Sequence, residues 1–179
     1  NTFNVDDVGY ANASDVNMNV GGLNSSLFNQ SQTWSNSLSI SGSWDSGGVV
    51  PANAFDGSLS TNARSAGTNQ QITFDISSSP LSFTDKVEFY HTTFGMDVSV
   101  NGGTVIGNPA VNQFVTLASG GGTLNTITFV NANAKTEVTA IRVDGKLLVN
   151  PGINLPTVAS TGCSVGTKQG FSIIKYTGG

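Results

Sequence analysis

One histidine, a thin scatter of acids and a few flat aromatics are the chemistry-bearing side chains of this 179-residue sequence. A serine triad needs an imidazole to take the nucleophile's proton, so it would have to use His91. His91 stands in "KVEFYHT", two positions after Phe89, and no G-x-S-x-G elbow presents a serine. That context reads as a core-edge or ligand-contacting histidine. Glycoside cleavage needs two carboxylates flanking the scissile bond, and Asp45, Asp56, Asp75, Asp85, Glu88, Asp97, Glu137 and Asp144 supply the residue type. Most adjoin Gly or Ser, where an aspartate caps its own turn. Three glycines at 120–122 precede the strand-like "TLNTITFV" rather than a helix, which excludes a phosphate-cradling loop. Trp34, Trp44, Tyr90 and Phe94 have flat apolar faces suited to a pyranose ring, although core packing accounts for most such residues. Trp44, in "SGSWDSGG", is the exception, because its neighbours predict a loop. The candidate glycan contacts are therefore Trp44, Arg64, Tyr90 and His91.

Around these residues the composition is narrow. Only 10% of the chain is charged, with a formal net charge of -4, and the seven basic residues form no patch of the kind that phosphate backbones require. Nucleic acid is excluded as a partner. Cys163 is the single cysteine, so no internal disulfide forms, and no cysteine or histidine cluster offers a zinc site. No apolar run is long enough for a membrane-spanning helix. The chain opens on Asn1 and closes on "KYTGG", which reads as a piece of something longer.

The elements that must position the candidates are strands. Trp34, Leu38 and Ile40 alternate in "TWSNSLSISGSW", Ile72, Phe74 and Ile76 in "QQITFDI", and Val87, Phe89 and His91 share a face opposite Glu88 and Tyr90. Asn101–Gly102 predicts a two-residue hairpin turn with Val98 facing Val105, and Asp144–Gly145 predicts a second. "FVTLASGGGTLNTITFV" reads as two strands around a glycine-rich connection. Short strands punctuated by Gly, Asn and Pro, without intervening helices, predict an all-β antiparallel sandwich or jelly roll over residues 31–150. Residues 1–30 are too poor in apolar side chains for a core and read as an extended arm. Residues 151–179 read as a linker ending in a docking strand, "GFSIIKYTG".

Within "NAFDGSLSTNARSAG", Ala54, Asp56, Gly57 and Thr61 resemble the loop of galactose-binding-like jelly rolls of the discoidin type. The resemblance implies a structural calcium ion with Asp56 and Thr61 as side-chain ligands, since calcium takes hard oxygen donors. The sequence departs from that pattern after Thr61, where "NAR" stands in place of a tryptophan, and near the last strand, where Glu137 falls early. Without calcium, the same residues form a capped turn. Arg64, which follows the loop, reaches a partner or sugar, or else makes a rim salt bridge.

A longer succession, "SQTWSNSL", "AFDGSLSTNARSAG", "VSVNGGT", "VTLASGGGTLNTITF", "AIRVDGKLLV" and "TVASTGCSVGTKQGFSIIKYTG", resembles a module of bacteriophage tail and fibre proteins. That resemblance implies a non-enzymatic structural or adhesive part of a virion. Its implied partners are other virion proteins, further copies of the chain, with a trimer favoured, and host surface polysaccharide. The alternative is a carbohydrate-binding module of a secreted polysaccharide-degrading enzyme.

Overall fold

The computed structural model describes residues 27–47 and 49–153. Residues 1–26 of the expected arm lie outside the described residues, as does the expected docking strand. The first strands are β1 (Phe28–Asn29), β2 (Leu38–Ile40), β3 (Ala63–Thr68), β4 (Ile72–Asp75), β5 (Leu81–Phe83), β6 (Lys86–Tyr90) and β7 (Met96–Val100). They are followed by β8 (Ile106–Gly107), β9 (Phe114–Ser119), β10 (Gly122–Leu124), β11 (Thr126–Asn131), β12 (Lys135–Val138), β13 (Ala140–Val143) and β14 (Lys146–Leu148). Two five-stranded sheets, ordered β1-β14-β13-β6-β9 and β2-β4-β11-β7-β8, make the sandwich, and β5–β10 and β3–β12 form two-stranded ribbons. Every pairing is antiparallel except that of β1 with β14. The fold is thus the all-β sandwich that the alternation predicts.

The core follows from strand geometry, because successive side chains point to opposite faces. Val87 and Phe89 of β6 and Ile141 of β13 turn inward from the first sheet, and Ile72, Phe74, Ile127 and Phe129 from the second; all are fully buried. Phe89 meets Phe129 with ring centroids 5.5 Å apart, and Phe74 meets Phe55 at 5.6 Å. Each such side chain contributes about 1.5–3 kcal/mol of burial free energy, set against the entropy of ordering the chain.

Several local expectations are corrected. Trp34 does not lie in a strand: Trp34–Ser37 forms a 3-10 turn, and only Leu38–Ile40 is extended. The turn wins because its polar residues find partners there. Asn36 N–H reaches the Thr33 carbonyl at 3.1 Å, Asn150 Oδ1 accepts from Ser35 N–H at 3.1 Å, and Trp34 Nε1 donates to the Asn29 carbonyl at 2.8 Å. Asn101 and Gly102 do adopt positive φ and close a turn, with Gly103 N–H bonded to the Val100 carbonyl at 2.8 Å. Val98 nevertheless pairs with Ile106 rather than Val105, and Val105 is left exposed. The Asn101 side chain is held instead by the neighbouring strand, accepting from Asn125 and Thr126 N–H and donating to the Thr123 carbonyl.

The glycine-rich connection joins no hairpin: β9 belongs to the first sheet, β10 pairs with β5, and β11 enters the second sheet. Gly120, Gly121 and Gly122 all have positive φ, which suits this crossing between sheets. Phe28 and Asn29, assigned by sequence to the arm, pair with Leu147 and Leu148. The Asp144–Gly145 hairpin forms as expected, with Val143 opposite Lys146.

Candidate functional site

At one end of the second sheet, β2 and β11 leave while β4 and β7 enter. The segment leaving β2 crosses back over β3: Ala66 N–H bonds the Ser43 carbonyl at 2.8 Å, Asp45 N–H bonds the Arg64 carbonyl at 2.9 Å, and Trp44 bridges Ser65. Gly42 lies in this crossing, where an added Cβ would displace the end of the flexible Gln70 side chain. Directly paired residues share a face of an antiparallel ribbon. Trp44 therefore lies on the Ser65 face, half-buried against the core, whereas Asp45 and Arg64 lie on the other.

On that second face Asp45 Oδ2 accepts from Arg64 Nε at 3.1 Å and Nη2 at 2.9 Å, and from Lys135 Nζ at 2.7 Å. The Lys135 hydrogen bond, acting first, and then the Arg64 bond overcome the effect of desolvation and hold the Asp45 carboxyl below its usual range. Next along the ribbon Glu137 pairs with Arg64. Its buried carboxylate takes Thr92 N–H at 2.9 Å, Thr92 Oγ1 at 2.6 Å, Thr93 Oγ1 at 2.8 Å and Thr139 Oγ1 at 3.2 Å. The segment between β6 and β7 is thereby fastened beside Arg64.

The following residue, Phe94, is 70% exposed. Its backbone is fixed on both sides: Asn131 Nδ2 donates to the Phe94 carbonyl at 2.8 Å, and Gly95 N–H donates to Asn108 Oδ1 at 2.8 Å. Asn131 is itself buried in a polar chain, since its N–H reaches Thr136 Oγ1, while Thr136 N–H reaches Ser65 Oγ. Satisfied buried polar groups of this kind rigidify the elements they join. A pinned loop thus displays an aromatic ring with little burial, and the Glu137 that fastens this loop pairs with Arg64 of a cluster of one acid and two bases.

The sequence-derived candidates fall into four environments. Arg64 belongs to the cluster, in the salt-bridge geometry that was one of its expected roles. Trp44 is adjacent in the chain but turned to the opposite face of the ribbon. Tyr90 lies on the outer face of the first sheet, edge-on to Phe114 at 5.5 Å. His91 is fully buried, stacked on Phe89 at 4.7 Å, with Nδ1–H donating to the Thr93 carbonyl at 2.9 Å. In this position it touches no surface ligand, which corrects its assignment as a glycan contact. Lys135 escaped the sequence reading, and Asp45 was read there only as a carboxylate of the turn-capping kind, because the bond between them spans 90 positions of the chain. Phe94 was read with the core-packing aromatics, and its 70% exposure corrects that reading.

Burial, opposed by the Thr93 carbonyl and Glu137, lowers the His91 pKa. The unfolded chain then takes up this proton first, so stability is retained above the ordinary histidine pKa and falls as pH drops from 7 to 5. Urea unfolding at both values is expected to show wild type losing about 1 kcal/mol more than His91→Phe per pH unit below about 6.5. Equal losses in the two proteins would contradict this coupling.

Asp56 and Thr61 do meet, Thr61 Oγ1 donating to Asp56 Oδ2 at 2.6 Å while Asp56 Oδ1 accepts from Ser58 N–H at 2.8 Å. A weaker contact joins Thr61 Oγ1 to the Asn53 carbonyl at 3.5 Å. Calcium takes six to eight oxygens, usually from more than one carboxylate. Here a single carboxylate is closed by its own turn, and Glu137 is fully engaged with threonines elsewhere. The loop fits a capped turn better than a calcium cage. Among the described residues no group of three His, Cys, Asp or Glu could hold a metal ion.

No known family profile matches the chain, and no curated protein matches it. Among solved structures it is similar to the CBM32 of AlyQ in complex with 4,5-unsaturated mannuronic acid. The TM-score is 0.43 at 19% identity, over 65% of this chain and 95% of that one. It is also similar to a pectin binding carbohydrate binding module (TM-score 0.40, 15% identity, 63% of this chain and 96% of that one). A third is the family 32 CBM from C. perfringens NanJ in complex with galactose (TM-score 0.40, 12% identity, 62% of this chain and 96% of that one). No residue of this chain takes a role from these likenesses.

Proposed function

We propose that the sandwich is a non-catalytic carbohydrate-binding module and that Phe94, with Arg64, Asp45 and Lys135, forms its sugar-contacting surface. The observation that carries this reading is the exposed Phe94 ring on a loop held by Glu137, Asn131 and Asn108. An aromatic face stacks on the C–H face of a pyranose, and a pre-ordered loop avoids the entropy cost of arranging it on binding. The carboxylate and guanidinium of the cluster are of the types that fix sugar hydroxyls by hydrogen bonds. The virion setting implied by the sequence resemblance concerns what surrounds the sandwich, and this proposal holds in either setting.

Affinity electrophoresis through gels containing soluble polysaccharides tests the reading. Wild type is expected to be retarded by at least one polysaccharide, and Phe94→Ala to weaken that retardation about tenfold, the effect of losing roughly 1.5 kcal/mol of aromatic contact. Far-ultraviolet circular dichroism should be unchanged, since the ring is exposed. Absence of retardation throughout, together with a stable trimer in sedimentation, would favour the passive virion part instead.

A further inference from the structure

We infer that the glycan bound at this surface is acidic, with an anionic group of the sugar chain, carboxylate or sulfate, seated between Arg64 and Lys135. The inference rests on the carbohydrate-binding reading above and specifies its ligand class. Asp45, Arg64 and Lys135 together carry one surplus positive charge on a chain whose formal net charge is -4. Their exposures differ in a telling way: the Asp45 side chain is 13% exposed, against 37% for Arg64 and 42% for Lys135. The acid is tucked under while the bases face water. Because both bases touch the single oxygen Asp45 Oδ2, their nitrogens lie close enough for one anionic group to bridge them. Each also keeps donors in reserve, since a guanidinium has five N–H groups and an ammonium three.

Asp45 then acts as a buttress. It holds two long side chains in one place, so less side-chain entropy is lost when the anion arrives. A pair whose only task was to pin the segment after β2 would need one base, and the backbone bonds of Asp45 and Ala66 already pin it. The surrounding chain is acidic overall, so unspecific attraction to a polyanion is disfavoured and binding must come from this locus.

The full chain is tested by affinity electrophoresis in polygalacturonate, in alginate, in dextran sulfate, in neutral galactan, and in polygalacturonate whose carboxyls are methyl-esterified. Retardation is expected in at least one of the anionic polymers, with a several-fold loss on raising salt from 50 to 300 mM. Where polygalacturonate binds, esterification should weaken it at least tenfold. Arg64→Gln and Lys135→Gln should each weaken anionic retardation about tenfold, with Lys135→Arg restoring most of it. Retardation by dextran sulfate alone would assign the anion as sulfate, and by the uronates alone as carboxylate. Equal retardation by galactan, or insensitivity to Lys135→Gln, overturns the acidic ligand while leaving the carbohydrate reading intact. No retardation in any gel overturns both.

Discussion

Glu137→Ala is expected to lower stability by about 3 kcal/mol, roughly a 10 °C fall in Tm for a domain of this size, and to abolish polysaccharide retardation. The substitution removes the acceptor of four hydrogen bonds, from Thr92 N–H, Thr92 Oγ1, Thr93 Oγ1 and Thr139 Oγ1, at a site that is 2% exposed. A net hydrogen bond to a charged group is worth about 1.5–3 kcal/mol, and of the four donors Thr139 is buried, where a group left without a partner costs more than a bond exchanged with water. The hydroxyls can rotate toward other acceptors, whereas the Thr92 N–H, fixed in direction, would turn to water. Losing this knot releases the segment that carries Phe94, so binding should fall further than stability alone explains. Glu137→Gln keeps an acceptor oxygen and should lose about half as much. The measurements are urea unfolding and gel retardation on the same preparations. A variant that unfolds like wild type would show that the carboxylate does not organise this loop.

The sandwich was legible because its core strands alternate cleanly. Ile72, Phe74, Val87, Phe89, Ile127 and Phe129 each sit two residues from another apolar side chain, and period two is what a half-buried strand imposes. Both positive-φ turns were legible for a similar reason, since Asn–Gly and Asp–Gly tolerate a conformation that other pairs resist. What escaped was register and partner choice. Val105 looked like a ladder residue, but the Asn101 amide is drawn to the Thr123–Thr126 backbone, a contact made across the sheet that no local pattern encodes. Trp34 carried the right hydrophobicity and the wrong geometry, because Asn150, far along the chain, stabilises the turn that follows it.

The candidate site was only partly legible. Arg64 stood out by type, whereas neither the exposed position of Phe94 nor the β3–β12 ribbon that carries Arg64 did. The ribbon's residues, "ARSAGT" and "KTEV", lack apolar alternation because Ser65 and Thr136, and Glu137 opposite Arg64, are buried polar residues satisfied by hydrogen bonds. Buried polar strands of this kind look like loops in sequence. They become visible only when the partners are in place, which is why Asp45 was read as a turn cap although its carboxylate serves two bases. Asp75, by contrast, does cap its own turn through Ser77 N–H and Oγ.

Arg142→Met is expected to cost about 3 kcal/mol at pH 7, and the double variant Glu88→Leu with Arg142→Met to recover most of it. Glu88 points from the outer face of β6 yet is only 3% exposed. Arg142 grips it with both prongs, Nε to Oε2 at 2.7 Å and Nη2 to Oε1 at 2.8 Å, while lying over the Phe114 ring at 3.9 Å; Lys86 Nζ adds a contact at 3.2 Å. Burial pushes the Glu88 pKa up, and the bonds from Arg142 and Lys86 outweigh it, so the folded value lies below the ordinary one. A depressed carboxyl contributes stability above its unfolded pKa and loses it as pH falls through the folded value. Removing Arg142 reverses the balance, because burial then dominates over the single remaining base. The variant's deficit relative to wild type should therefore be largest near pH 7 and shrink as pH is lowered toward 4, where Glu88 accepts a proton and no longer needs a cation. Urea midpoints across this range decide the matter: a deficit that stays constant with pH would mean that the loss comes from the Phe114 stack and not from the stranded carboxylate.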